Sequence, residues 1–123
     1  MSDLAMTRGD TLVVYLTIMD ADAAPINITA AAISFMAKRL WTDADSAAVC
    51  SASVADGGIV VTNGAAGLAT LTLTPDQTAN MAILGPPGYD DLVCDVRMRL
   101  ATDVVATLWR GQLRVYANIA PQP

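Results

Sequence analysis

Apolar and polar residues alternate with a period of two along most of the chain, which is typical of β-strands that are buried on one side only. Residues 11–20 read TLVVYLTIMD, so two interleaved sets of apolar, β-branched and aromatic residues face opposite ways. Alanine is the most frequent residue and the best helix former, yet these stretches lack the period of about 3.6 residues that a helix requires. The pattern therefore predicts strands.

Seven such stretches are separated by turn-forming aspartate, glycine and proline residues. The clearest is residues 89–100, in which one face is apolar and the other holds Val93, Asp95, Arg97 and Arg99. The apolar face of this stretch comprises Leu92, Cys94, Val96, Met98 and Leu100. The predicted strands are 11–20, 32–40, 49–54, 59–62, 67–74, 89–100 and 104–116.

Local signals predict how several of these strands begin and end. Asn63-Gly64 indicates a tight hairpin turn, and the GPPG sequence at 85–88 predicts a loop. Thr74, followed by Pro75 and by Gln77, has the spacing of a capping box and predicts one short helical turn. In the last strand Gly111 is a candidate bulge, and the residues of shared parity are Val105, Thr107, Trp109, Leu113 and Val115.

These elements predict an all-β fold, an antiparallel β-sandwich of about seven strands with one short helical turn. With 123 residues, 54% of them hydrophobic, the chain can bury a core that needs neither a metal nor a disulfide. We expect one domain over residues 1–123, flanked by terminal arms at 1–8 and 117–123. Cys50 and Cys94 are expected to remain free thiols in or near the core, with Cys94 facing inward.

The balance of charges argues against several classes of function. The chain has 12 acidic residues, all of them aspartate, against 7 basic residues, and it contains no histidine. A net charge of -5 disfavours binding to nucleic acid or to an anionic membrane surface. No apolar run has the length of a membrane span or a signal peptide. Because histidine and nucleotide-binding motifs are both missing, we expect a protein that is not an enzyme and binds no cofactor.

Three aspartate pairs have the oxygen ligands that calcium prefers, but none has the spacing of a calcium-binding loop. We expect solvated turn acids and assign no metal site, although a weak ion site between two loops stays open. The pairs are Asp20/Asp22, Asp43/Asp45 and Asp90/Asp91.

The tripeptide Arg8-Gly9-Asp10 has the sequence of an integrin-adhesion motif. Adhesive use requires an exposed loop tip, whereas this tripeptide leads directly into the first predicted strand. We therefore interpret its glycine and aspartate as turn residues of the kind that commonly precede a strand.

Four arginines are predicted to lie on or near one outer sheet face. Arg97 and Arg99 alternate with the apolar face of their strand, and Arg110 and Arg114 lie on the following strand. Trp41 lies beside an acidic turn, outside the alternating pattern. Since the predicted turns are acidic and this sheet face is basic, the turns of one copy could bind the sheet face of another. These five residues are the predicted interface.

The order of several motifs resembles that of a known family. The opening TRGDTLVVYLTIMDADAAPINITAAAISFMAK, the later LATLTLTPDQTANM, and YDDLVCDVRM followed by LWRGQLRV are similar to segments of immunoglobulin-like domains of tailed bacteriophages. These domains include the N-terminal domain of the baseplate upper protein family. The chain departs from that pattern at Ala23 or Ala24 and at Ala30, where the family usually has glycine, and at Asn27-Ile28-Thr29, which replaces D-L-T.

This resemblance implies an immunoglobulin-like sandwich and a structural protein of the virion, assembled in the host cytoplasm, with no catalytic residues to transfer. Its partners would be other virion proteins and copies of itself, on a tail, baseplate or fibre-attachment protein. Because no fibre-linking region follows ANIAPQP, a capsid decoration protein is an alternative. A carbohydrate-binding adhesion module, using Trp41, is an alternative from another class.

Overall fold

A computed structural model describes residues 4–81, 83 and 88–119, which form eight strands in two sheets. The strands are β1 Leu4–Thr7, β2 Leu12–Thr17, β3 Ala32–Lys38, β4 Cys50–Ser53, β5 Ile59–Asn63, β6 Leu68–Leu73, β7 Tyr89–Arg99 and β8 Val105–Tyr116. A single 3₁₀ turn, Asp45–Ala47, lies between β3 and β4, and a five-residue helix, α1 Pro75–Ala79, follows β6. Of the predicted loop at 85–88, residues 85–87 lie outside the described residues.

The large sheet has the strand order β1-β8-β7-β3-β4, and the small sheet has the order β2-β6-β5. The prediction of an all-β sandwich with one helical turn is confirmed. All strand pairs are antiparallel except β1 and β8, which run parallel. β1 is therefore a strand beyond the seven that the sequence predicts, and it adds one parallel pair to a sandwich that is otherwise antiparallel.

β1 also corrects the prediction of an N-terminal arm at residues 1–8. Leu4 and Met6 face the core, and Leu4 lies opposite Leu113 on β8. The backbone N–H of Arg8 then donates to the carbonyl of Tyr116, over 2.9 Å. Residues 4–8 therefore belong to the domain. At the other end, the backbone N–H of Ala117 donates to the carbonyl of Gly88, and the rest of the predicted arm that is described, Asn118 and Ile119, is exposed.

The core lies between the sheets and follows the predicted alternation. Leu92, Cys94, Val96 and Met98 on β7 are all buried, as the sequence predicts. Phe35, in the middle of β3, is 1% exposed and is the largest of the fully buried side chains. The buried residues on the other strands include Ile33, Ala37, Ala52, Ile59, Leu71, Leu73, Leu113 and Val115.

The bulge in β8 lies at a different place from the predicted one. Gly111 pairs regularly with Cys94, whereas the register between β7 and β8 shifts where Val96 pairs with Trp109 and Arg97 with Thr107. Leu108 is therefore the extra residue, and it reverses the parity of the strand. For this reason Val105 and Thr107 are exposed, although Leu113 and Val115, of the same sequence parity, are buried.

The hairpin β5–β6 forms, but its turn differs from the predicted one. Asn63 still belongs to β5, the connection is 64–67, and the backbone with a positive φ is that of Gly67, at 72°. The Asn63 carboxamide instead accepts from the N–H of Ala66, over 3.2 Å. Gly64 approaches the backbone of Thr29, where a Cβ would overlap the Thr29 side chain. Glycine is therefore required at both positions, at Gly67 by the positive φ and at Gly64 by the contact with Thr29, and not to form a two-residue turn.

The two thiols are buried, and no disulfide joins them, as predicted. Ala37 pairs with Cys50 on β4 and with Cys94 on β7, so the two cysteines lie two strands apart. Two strand spacings are about 9.6 Å, which exceeds the Cα separation of a disulfide. Burial raises the pKa of the Cys50 thiol from 9.0 to about 12.

This burial predicts a specific loss of stability in alkali. Above pH 9.0 the unfolded Cys50 thiol ionises while the folded one stays neutral up to about pH 12. The free energy of unfolding should therefore fall with rising pH in this window, by at most about 1.4 kcal/mol per pH unit from this group. Urea titrations at increasing pH measure the slope. The Cys50→Ala variant should show a shallower slope, and an unchanged slope would contradict the assignment.

Candidate functional site

The outward-facing side chains of β3, β7 and β8 form what we call the charged face. It holds five of the chain's seven basic residues: Lys38, Arg97, Arg99, Arg110 and Arg114. They point outward because they alternate with the buried residues of the same strands. The predicted common face of the four arginines is thus found. It is not uniformly basic, since β7 also places Asp91 opposite Arg114 and Asp95 opposite Arg110.

At one end of the charged face Arg114 is held in place by two neighbours. Its guanidinium donates to both carboxylate oxygens of Asp91, over 2.8 and 3.0 Å, and lies 4.0 Å from the ring centre of Tyr89. Tyr89 in turn meets Tyr116 edge to face, with ring centres 5.7 Å apart. The hydrogen bond from Arg114 lowers the pKa of Asp91 and raises the pKa of Arg114 itself.

In the middle of the charged face Trp41 and Arg110 are brought together. The guanidinium carbon of Arg110 lies 4.5 Å from the centre of the Trp41 ring, which is a cation–π contact. Trp41 stays 49% exposed. Because Arg110 covers one face of the ring, that face is not open for stacking on a sugar.

The loop that follows β3 is folded back by the Lys38 ammonium. Lys38 donates to the carbonyl of Asp43 over 3.0 Å and to the carboxylate of Asp45 over 2.7 Å. The backbone N–H of Leu40 also donates to the Asp43 carboxylate. The bond from Lys38 lowers the pKa of Asp45, and the more distant Arg97 adds to this shift. This loop is what places Trp41 over the strands.

Trp41 borders a depression of about 250 Å³ on the charged face. Its lining includes Met36, Val93, Lys38, Asp95 and Arg97. In the described part of the chain no carboxylate lies within ion-pair distance of Arg97 or Arg110. The Arg97 guanidinium and the half-exposed indole of Trp41 at the depression, and the Arg110 guanidinium on the indole, are therefore available to a partner.

Arg99 lies apart from this cluster, at the far end of β7. It is 3.7 Å from Asp103, and both side chains are largely exposed. Of the five predicted interface residues, the structure thus groups Trp41, Arg97 and Arg110, places Arg114 beside Tyr89, and leaves Arg99 at the margin. The residues that the prediction missed are Lys38, Tyr89 and Asp91. Tyr89 and Asp91 occupy odd-numbered positions of their strand, as Arg97 does. The alternation could therefore have placed them on the same face.

The predicted turn acids mostly act as hydrogen-bond acceptors for their own turns. The Asp20 carboxylate accepts the backbone N–H groups of Asp22 and Ala24, over 2.9 and 3.0 Å. Asp90 and Asp91 differ, because they lie in β7 and form ion pairs with Arg39 and Arg114, each over 2.8 Å. Among the residues described, no three potential ligands are grouped as a metal would require.

The Arg8-Gly9-Asp10 tripeptide lies between β1 and β2 and is bound to α1. The Arg8 guanidinium donates twice to the carbonyl of Ala79, over 3.1 and 2.6 Å. The Thr78 hydroxyl donates to the backbone carbonyl of Asp10, over 2.7 Å. These bonds hold the arginine against the domain, so its observed role is structural.

No helix in the described residues is long and apolar enough to cross a membrane. Neither a scan against protein-family models nor a search of curated proteins finds a match to this chain.

Proposed function

We propose that this chain is a non-enzymatic structural module of a tailed bacteriophage particle that docks on other virion proteins through the charged face. The observation that carries the proposal is the cluster of Trp41 and Arg97, which line the depression, and Arg110, which stacks on Trp41. Tryptophan, tyrosine and arginine are the residues most enriched where interfaces gain their binding energy. The stacked guanidinium of Arg110 keeps its N–H groups for carboxylates or carbonyls of a partner.

Two further observations support this proposal. The bacteriophage domains usually have glycine at Ala30 and at Ala23 or Ala24, and of these three residues Ala23 and Ala30 have a φ of 61°. This left-handed backbone is the conformation that glycine adopts without strain, which supports the resemblance at these turns. In addition, both thiols, the strongest nucleophiles of the chain, lie in the core, which favours docking over covalent chemistry.

A substitution pair tests the docking role of the cluster. Particles made without the chain are mixed with purified parent, Arg110→Ser or Arg99→Ser, and the bound chain is quantified after sedimentation. Arg110→Ser should reduce incorporation about tenfold, because the cluster loses its stacked cation. Arg99→Ser removes the same charge from the same face but at its margin, and should bind within about twofold of the parent.

Circular dichroism of both variants is the control for folding, and both should give the spectrum of the parent. Binding of the parent should weaken with added salt, since screening acts over roughly 8–10 Å at physiological ionic strength. Equal incorporation of both variants and the parent, at every salt concentration, would place the interface elsewhere.

A further inference from the structure

The small sheet differs from the large one in that its strands contain no charged residue. β2, β5 and β6 read LVVYLT, IVVTN and LATLTL. On the outer face of this sheet Tyr15 is 80% exposed, Val13 is 43% exposed and Val60 is 55% exposed. In a chain with a net charge of -5, this is a sheet surface where another copy would meet no like charge from the strands.

β2 forms an open edge of the small sheet. Within residues 4–81, 83 and 88–119 it pairs only with β6. The N–H of Ile18 donates to the carbonyl of Gly67, on the β6 side, over 2.8 Å. Because antiparallel strands alternate the direction of these groups, the N–H and C=O groups of Val13, Tyr15 and Thr17 point away from β6. They form a row of donors and acceptors ready for another strand.

The other sheet edges carry features that limit strand addition, and β2 does not. β1 and β4 have four residues each, and β5 is interrupted by a register shift between Val61 and Asn63. β2 has six residues, with no charge, proline or bulge. Natural proteins usually protect such an edge, so an unprotected one indicates a strand that is covered in the assembled state.

An apolar groove of about 300 Å³ lies between β2 and the part of the large sheet nearest to it. It is lined by Leu4, Val14, Leu16, Phe35, Leu108 and Trp109, among others. The inward-facing side chains of β2 are only half-buried, because the sandwich is open on this side. A strand added beside β2 would place its own inward side chains in this groove.

We propose that two copies of the chain pair through β2, antiparallel and around a two-fold axis at Tyr15, to make one continuous six-stranded sheet. In this register Val14 lies opposite Leu16 of the second copy on the inward side, so apolar groups enter both grooves, and Val13 lies opposite Thr17 on the outer face. The pair is self-complementary, as a two-fold interface must be. This pairing is independent of docking through the charged face.

Sedimentation velocity of the purified chain over a wide concentration range tests the pairing. The parent should convert from monomer to dimer as its concentration rises. Added salt should strengthen the dimer, because it screens the repulsion between two chains of charge -5. Docking through the charged face has the opposite salt dependence, so failure of one proposal is distinguishable from failure of the other.

Matched variants and one measurement on the parent complete the test. Tyr15→Lys places a charge at the open edge and should abolish the dimer. Val60→Lys adds the same charge to the same face at the opposite edge and should leave dimerisation within about twofold of the parent. In the parent, hydrogen exchange of the Val13, Tyr15 and Thr17 amides should slow as the protein concentration rises. This measurement does not depend on whether the variants fold. A parent that stays monomeric at all concentrations, or equal dimerisation of both variants, would overturn the proposal.

Discussion

Replacing Gly67 with alanine is expected to destabilise the domain by about 4 kcal/mol, a large share of the stability of a small domain. Gly67 combines a φ of 72° with close contact to the backbone of a neighbouring segment of the same chain. A Cβ there would overlap the carbonyl oxygen of Ile18 and lie 3.0 Å from that of Ile26. The Ile18 carbonyl is itself the acceptor for the N–H of Ile26, so it cannot move without breaking a hydrogen bond.

Gly57 is the matched control for this substitution. Its φ of 83° is also left-handed, but a Cβ at this position meets nothing within 4 Å. Gly57→Ala should therefore cost only the backbone strain, about 1–2 kcal/mol. Urea denaturation followed by circular dichroism measures both free energies. Equal losses for the two variants would show that the close approach of the chain at Gly67 contributes nothing.

Phe35→Ala is expected to cost about 3–5 kcal/mol, because it removes the largest fully buried side chain from the centre of β3. Phe35 lies between Ala52 and Val96 of the neighbouring strands and also borders the groove beside β2. Ser34→Ala is the control, since Ser34 is the preceding residue of the same strand and is exposed. It should change the stability by no more than about 0.5 kcal/mol. A similar small change for Phe35→Ala would mean that the assigned strand faces are wrong.

The strands inside the sandwich were predictable because burial on one side imposes a period of two on the sequence. Residues 32–40 and 89–100 were predicted within two residues of β3 and β7 for this reason. The capping box of α1 was also predictable, since both of its hydrogen bonds join residues that are three apart, Thr74 and Gln77. Such local signals do not depend on what the rest of the chain does.

Other elements depend on contacts that no local pattern encodes. β1 has only four residues and pairs in parallel with β8, at the other end of the chain, so no hairpin turn indicates it. The bulge in β8 was assigned to Gly111 because glycine is the usual sequence marker, whereas the chain accommodates the extra residue at Leu108. Asn63-Gly64 is similarly a strong hairpin signal that the contact with Thr29 overrides.

The candidate site likewise has features that local patterns predict and features that depend on distant contacts. Which residues share the charged face follows from alternation, and Arg97, Arg110 and Arg114 were placed there correctly. Which arginine meets which aspartate depends on the register between β7 and β8, which the bulge and the intervening turn determine. The contact between Trp41 and Arg110 requires the loop after β3 to turn back, and Lys38 holds it there.

Quantitative mass spectrometry of particles purified from the cells that encode the chain tests the central claim most directly. If the chain is a docking module of a virion, it should be present in a constant copy number relative to one structural protein. Separated heads and tails would then show whether that protein belongs to the tail or to the capsid. A chain that is abundant in the lysate but missing from purified particles would contradict the account.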